Sequence, residues 1–207
     1  MRLQPDATGV ILAGGKSRRM GEDKRFLKVG ESTLLERSVH VMSRVFSEVL
    51  VIIAQDSPAL EVPGCVVHRD LIPDCGSLGG LYTGLVQASR GRIFVVACDM
   101  PFVNPDMIRW FLARDQEADI VMAQLETGLQ PLHAVYGTRA LPYLRQRVEA
   151  RQLKIQTVVS EPSLRVRIVL PSEWKDLDPE SRSFQNVNSP ADLQAARAAI
   201  SGTHPFS

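Results

Sequence analysis

Two stretches of the chain, Val49–Ala54 and Ile93–Ala97, are apolar at every position and rich in β-branched residues. A strand with one wet face alternates apolar and polar side chains. A continuous run of this length instead fits a strand covered on both faces, as in a parallel sheet packed between helices. Thr8–Leu12 is a third β-rich run, and it ends in Ala13-Gly14-Gly15. Cys65–His68, Ile120–Gln124, Leu132–Tyr136 and Val166–Leu170 are weaker strand candidates.

The segments between these runs carry helix signals. Thr33-Leu34-Leu35-Glu36 fits a capping box, with Leu35, Val39, Met42 and Phe46 then recurring on one face. Asn104-Pro105 puts a capping side chain before proline at the first helical position, with Ile108, Phe111 and Leu112 as the buried stripe. Ser189-Pro190-Ala191-Asp192 repeats that start before an Ala-rich helix. Alternating strands and helices imply βαβ units, hence an α/β fold with a mostly parallel sheet. In such sheets ligands bind beyond the carboxyl ends of the strands, near the point where strand order reverses. Functional residues are therefore expected directly after the strands.

The chain has 207 residues, 44% hydrophobic and 23% charged, which suits one globular domain over residues 1–207 with an ordered core at 7–201. A formal net charge of +1 argues against a nucleic-acid partner, whose electrostatic footprint is a clearly basic domain. Cys65, Cys75 and Cys98 are odd in number and match no zinc or redox spacing, so they read as reduced thiols in a cytoplasmic protein. No secretory signal is evident, and the longest apolar runs are six residues, against about 20 for a membrane helix.

The segment Leu12-Ala13-Gly14-Gly15-Lys16-Ser17-Arg18-Arg19-Met20-Gly21-Glu22-Asp23-Lys24 is the most informative. Glycines directly after a buried strand let backbone N–H groups approach an anion. Between residues 14 and 28, Lys16, Arg18, Arg19, Lys24, Arg25 and Lys28 face only Glu22 and Asp23, a local charge of +4. Arginine grips phosphate oxygens through paired hydrogen bonds, and lysine acts as a point charge. A solvated basic loop would share this composition, but its position after a first buried strand favours polyphosphate. Gly15-Lys16-Ser17 is not a P-loop end, because position 10 is Val10 where that motif needs glycine, and no G-x-G-x-x-G is present here.

Asp99 follows the strand candidate Ile93–Ala97, in Ala97-Cys98-Asp99-Met100-Pro101-Phe102. A carboxylate there suits Mg²⁺, which takes hard oxygen ligands and brings phosphate with it, or it could cap a turn before Pro101. Arg69-Asp70-Leu71-Ile72-Pro73-Asp74-Cys75-Gly76-Ser77-Leu78-Gly79-Gly80 packs three glycines into five positions at a loop entering a helix. Gly80 and Gly84 could equally serve close helix–sheet packing.

Together these motifs resemble the molybdenum cofactor guanylyltransferases. The resemblance covers about residues 8–200 and rests on four separated motifs in order. It implies a single Rossmann-like three-layer α/β domain and a nucleotidyltransferase that moves GMP from Mg²⁺·GTP to the terminal phosphate of a molybdopterin-type cofactor. Cofactor-synthesis enzymes and molybdoenzymes would be its protein partners. On this resemblance Leu12, Ala13, Gly14, Gly15, Asp70, Gly76 and Gly80 line the nucleotide site, with Ser77 standing where proline is usual. Arg19 and Lys24 neutralise the leaving phosphates, and Asp99 binds the metal. Gln185-Asn186-Val187-Asn188-Ser189-Pro190 resembles the family's acceptor-side tail, which assigns Asn186 and Asn188 to the acceptor. His133 and Lys154 are further acceptor-side candidates, although a lone histidine in a strand and a lysine on a surface also have ordinary structural readings. Some members carry asparagine after the second strand, where this chain has Ile52-Ile53-Ala54. A cytidylyl or sugar-phosphate nucleotidyltransferase, or a non-catalytic protein that binds and delivers the cofactor, remain alternatives at this level.

Overall fold

The computed structural model describes residues 3–4, 6–14 and 23–201. Nine strands and five helices occur among them. The strands are β1 (Thr8–Leu12), β2 (Lys28–Val29), β3 (Ser32–Thr33), β4 (Val49–Ile53), β5 (Val66–Arg69), β6 (Arg92–Ala97), β7 (Ile120–Leu125), β8 (Gly128–Gly137) and β9 (Val166–Val169). The helices are α1 (Leu34–Ser43), α2 (Gly76–Gln87), α3 (Pro105–Arg114), α4 (Leu141–Glu149) and α5 (Pro190–Ser201).

Seven strands form one sheet in the order β5-β4-β1-β6-β8-β7-β9, and β2 pairs with β3 in a small hairpin. All neighbours in the large sheet are parallel except β8, which runs antiparallel to both β6 and β7. The continuous apolar runs are buried on both faces, as expected. Ile11, Val51, Ile53, Phe94 and Val96 pack towards α1 and α3, while Val10, Leu50, Ile52, Ile93 and Val95 pack towards α2 and α4. Helices on both faces of a mostly parallel sheet make a three-layer α/β architecture.

The helix starts follow the sequence signals. Thr33 caps α1 with a complete capping box to Glu36, and Asn104 caps α3 with proline following. The helix α1 ends at Ser43, so Phe46 reaches the core from just beyond it. Gly84 on α2 lies so close to β1 that a Cβ there would sit 2.6 Å from Val10 Cγ1.

The chain visits β1, β4 and β5 in one direction and then crosses to β6 on the other side of β1. The order therefore reverses between β1 and β6, and their carboxyl ends meet with Leu12 opposite Ala97. The N–H of Cys98 donates to the Leu12 carbonyl (3.0 Å), and that of Ala13 to the Ile52 carbonyl (2.8 Å). Gly14 and Asp99 are thus delivered to one edge by register.

Candidate active site

Two cavities open at this edge. The first, about 320 Å³, is lined by Leu12, Ala13, Gly14, Lys24, Ser77, Asp99, Leu132, Asn186 and Asn188, with Asp23, Arg25, Ala97 and Cys98 completing the wall. The second, about 500 Å³, is lined by Gly14, Ala54, Gln55, Asp56, Asp70, Pro73, Asp74 and Gly76. Gly14 belongs to both, and a Cβ there would lie 3.0 Å from the Ala54 backbone nitrogen. The helix α2 starts between them: Gly76 faces the second cavity and Ser77 the first. Its N-cap, Cys75, makes no side-chain bond to the first turn, which leaves amide donors at the positive end of the helix for an anion.

Lys24 is the hub of the first cavity. Its Nζ lies 3.2 Å from Asp99 Oδ2 and donates to Asn188 Oδ1 at 2.8 Å. Three chain segments therefore converge, with Lys24 and Asn188 separated by 164 positions. The other Asp99 oxygen, Oδ1, is buried with no hydrogen-bond partner. The backbone supports both partners: Val187 N–H donates to the Asp99 carbonyl (2.8 Å), and the Asp192 carboxylate accepts from the Asn188 and Ser189 amides (2.9 and 2.8 Å).

The turn that carries Lys24 is clamped on either side of it. Asp23 caps a short 3₁₀ turn, accepting from the Arg25 amide at 3.1 Å and from Arg25 Nε at 2.9 Å. Arg25 is 7% exposed, and its fork on Asp23 holds that carboxyl below the usual carboxylate range. Asp23 and Arg25 were missed as a unit by sequence reasoning. Their only signal was an acid and a base two residues apart in a run of charges.

Asp70 sits at the end of β5, tied by its amide to the Ile53 carbonyl (2.8 Å). Its Oδ1 is buried and unpartnered, and desolvation pushes the carboxyl up to about 6. Gly76 has a left-handed φ of +53°, a conformation that favours glycine at this entry to α2. Asp74 has φ +56° and also borders the second cavity. Gly80 lines neither cavity. Its missing Cβ, which would stand 3.2 Å from Leu12 Cδ2, lets α2 pack on β1 beside Asp70.

Gly15 and Arg19 lie outside the described residues. Two acceptor-side candidates fall elsewhere. His133 is fully buried among Phe94, Phe111 and Phe184, with ring centroids 4.9, 5.2 and 4.7 Å away, and lines neither cavity. Burial pushes its imidazole down to about 4, which keeps it neutral. On β8 it stands opposite Val96 of β6, on the face covered by α1 and α3, whereas Leu132 lines the first cavity. Lys154 is exposed at the start of the 3₁₀ turn Ile155–Ser160 and lines neither cavity. Asn186 and Asn188 both face the first cavity, as an extended segment places them. Cys98 is buried and its thiol is pushed up to about 12, which leaves it unreactive.

Comparisons with known proteins agree with this geometry. A family model described as "MobA-like NTP transferase domain" matches residues 9–164. A relative from Pelotomaculum thermopropionicum, named "Probable molybdenum cofactor guanylyltransferase", is 36% identical over 191 residues, covering 92% of each chain. Another from Desulfosudis oleivorans, named "Molybdenum cofactor guanylyltransferase", is 33% identical and covers 93% of this chain and 95% of its own. Among solved structures, the molybdopterin-guanine dinucleotide biosynthesis protein A from Archaeoglobus fulgidus shares the fold, with a TM-score of 0.81 at 23% identity. That match covers 95% of this chain and 100% of the other. Among the described residues no helix is long and apolar enough to cross a membrane.

Proposed function

Because the chain belongs to the MobA-like NTP transferase domain family, we propose that it transfers GMP from GTP to the terminal phosphate of a molybdopterin-type cofactor, releasing pyrophosphate. The observation that carries this reading is the convergence of Lys24, Asp99 and Asn188 in a cavity at the reversal of strand order. The names of full-length relatives supply the substrate pair.

The nucleoside occupies the second cavity, against Asp70 and Gly76, and the triphosphate passes Gly14 into the first. There Lys24 and the start of α2 attract the β- and γ-phosphates. The acceptor lies along Asn186 and Asn188. One of its phosphate oxygens attacks the α-phosphorus, the bond to the bridging oxygen breaks, and pyrophosphate leaves with that electron pair. A phosphate oxygen is already a competent nucleophile at neutral pH, so no general base is needed and the burial of His133 costs nothing. The protein's contribution is alignment and charge neutralisation.

The residues present fit a Mg²⁺ ion. Asp99 lines the cavity and keeps one buried oxygen without a hydrogen-bond partner. No group of three or more His, Cys, Asp or Glu able to hold a metal occurs among the described residues. One carboxylate with the rest of the shell from phosphate and water is the usual arrangement for Mg²⁺. Bound there, the ion would supply charge to the triphosphate, and Lys24 would turn from Asp99 towards the phosphates.

The test is pyrophosphate release with GTP, CTP and ATP, each with and without molybdenum cofactor. Release with GTP plus cofactor supports the proposal. Release with CTP in its place moves the enzyme to cytidylyl transfer, and no release with any pair leaves a binding or delivery protein.

A further inference from the structure

A larger cavity, about 750 Å³, lies behind the loop that follows Asp99. Its walls are α1, the segment Pro101–Pro105, the turn around Arg182 and Ser183, and the end of α5. The helix α1 contributes Arg37, His40 and Val41, and its C-cap contributes Arg44. These stand at i, i+3, i+4 and i+7 and so form one stripe.

Among the described residues, not every guanidinium facing this cavity is matched by a carboxylate. Arg37 is half-buried, and desolvation alone pushes its guanidinium below the usual arginine range. Its Nε donates to the Pro101 carbonyl at 3.3 Å. Among the described residues neither its two Nη groups nor the Arg44 guanidinium meets a carboxylate. The acids at the wall are already engaged. Glu36 accepts from the Thr33 amide (2.7 Å), and Asp178 accepts from the Arg182 and Ser183 amides (2.9 and 2.8 Å). Arg182 is shared with Glu180. Ser183, 1% exposed, lines the same cavity with its hydroxyl unpartnered. A partly desolvated cation with no carboxylate partner among the described residues is an unfavourable arrangement that an anionic ligand would relieve.

We propose that this cavity is a second anion-binding site, for a phosphate-bearing small molecule with an apolar body. Arg37 and Arg44 both line this cavity, and a guanidinium grips phosphate oxygens through paired hydrogen bonds. Val41, Phe102 and Ile200 provide the apolar wall. The site is separate from the one holding Lys24. A smaller cavity, about 400 Å³, shares Pro101, Phe102 and Arg182 with this one and Asn186 with the first. The inference does not depend on which nucleotide the enzyme uses or on whether transfer occurs.

The experiment is calorimetric titration of the full chain with inorganic pyrophosphate, in EDTA and at fixed salt. Wild type should show two binding events. Lys24→Met should remove one and leave the other. Arg37→Gln and Arg44→Gln should each weaken the other about tenfold and leave the Lys24-dependent event intact. Arg44 is exposed, so its substitution keeps the test valid even if Arg37→Gln impairs folding. The absence of any event that persists in Lys24→Met, or such an event unchanged by Arg44→Gln, overturns the proposal.

Discussion

Asp70→Asn should stabilise the protein at neutral pH and lose that advantage in mild acid. The carboxyl has a buried oxygen with no partner, and its ordinary value of 3.8 is raised to about 6 by desolvation. Between these values the folded state holds a proton that the unfolded chain has released, so stability falls as pH rises from about 4 to about 6. Above that window the folded protein carries a carboxylate in surroundings that prefer the acid. A rise of roughly two units corresponds to about 3 kcal/mol, and half-burial with solvent screening reduces this to about 1–2 kcal/mol. Asparagine keeps the shape and removes the charge. Urea unfolding of both proteins from pH 4 to 7.5 measures the difference. Any constant offset from the new amide cancels, so the change in ΔΔG with pH is what matters. It should grow by about 1–2 kcal/mol across the window and then level off. A ΔΔG that is flat with pH would refute a desolvated Asp70. The same variant should bind nucleotide more weakly, the usual opposition between stability and a ligand-directed charge.

Lys24→Met should lower turnover by about 10²–10³, the range for losing one preorganised charge contact to a transition state, with the thermal midpoint little changed. Near-normal turnover would remove Lys24 from the mechanism. Gly84→Ala forces a Cβ to within 2.6 Å of Val10 Cγ1 and should cost about 1–3 kcal/mol in urea unfolding. An unchanged midpoint would contradict the close packing of α2 on β1. His133→Phe should flatten the acid limb of stability. The imidazole's folded value of about 4 lies below its ordinary 6.5, so wild type loses stability as pH falls through that interval. The loss is up to about 3 kcal/mol and should be absent in the variant.

The sequence by itself determined the elements whose causes are local. Continuous β-branched runs gave β1, β4 and β6, because a strand buried on both faces has no polar positions to show. The caps at Thr33 and Asn104 set two helix starts through bonds within three residues. Residues directly following the strands, Gly14, Asp70 and Asp99, were legible as ligand-facing because chain direction puts strand ends at one edge.

Tertiary structure decided whatever depends on which face or which neighbour a residue receives. The β8 strand joins the sheet between β6 and β7, antiparallel to both: the two-residue link Glu126-Thr127 makes it a hairpin with β7, but its pairing with β6 is set only by the assembled sheet. On this strand Leu132 lines the first cavity, whereas His133 lies in an aromatic cluster. The carboxyl of Asp70 is perturbed by burial, and the Asp23–Arg25 clamp forms inside what reads as a solvated basic loop. The meeting of Lys24 with Asn188 brings together residues 164 positions apart. Sequence periodicity specifies that a residue is on a face; only packing of the sheet, the helices and the C-terminal segment specifies what that face meets.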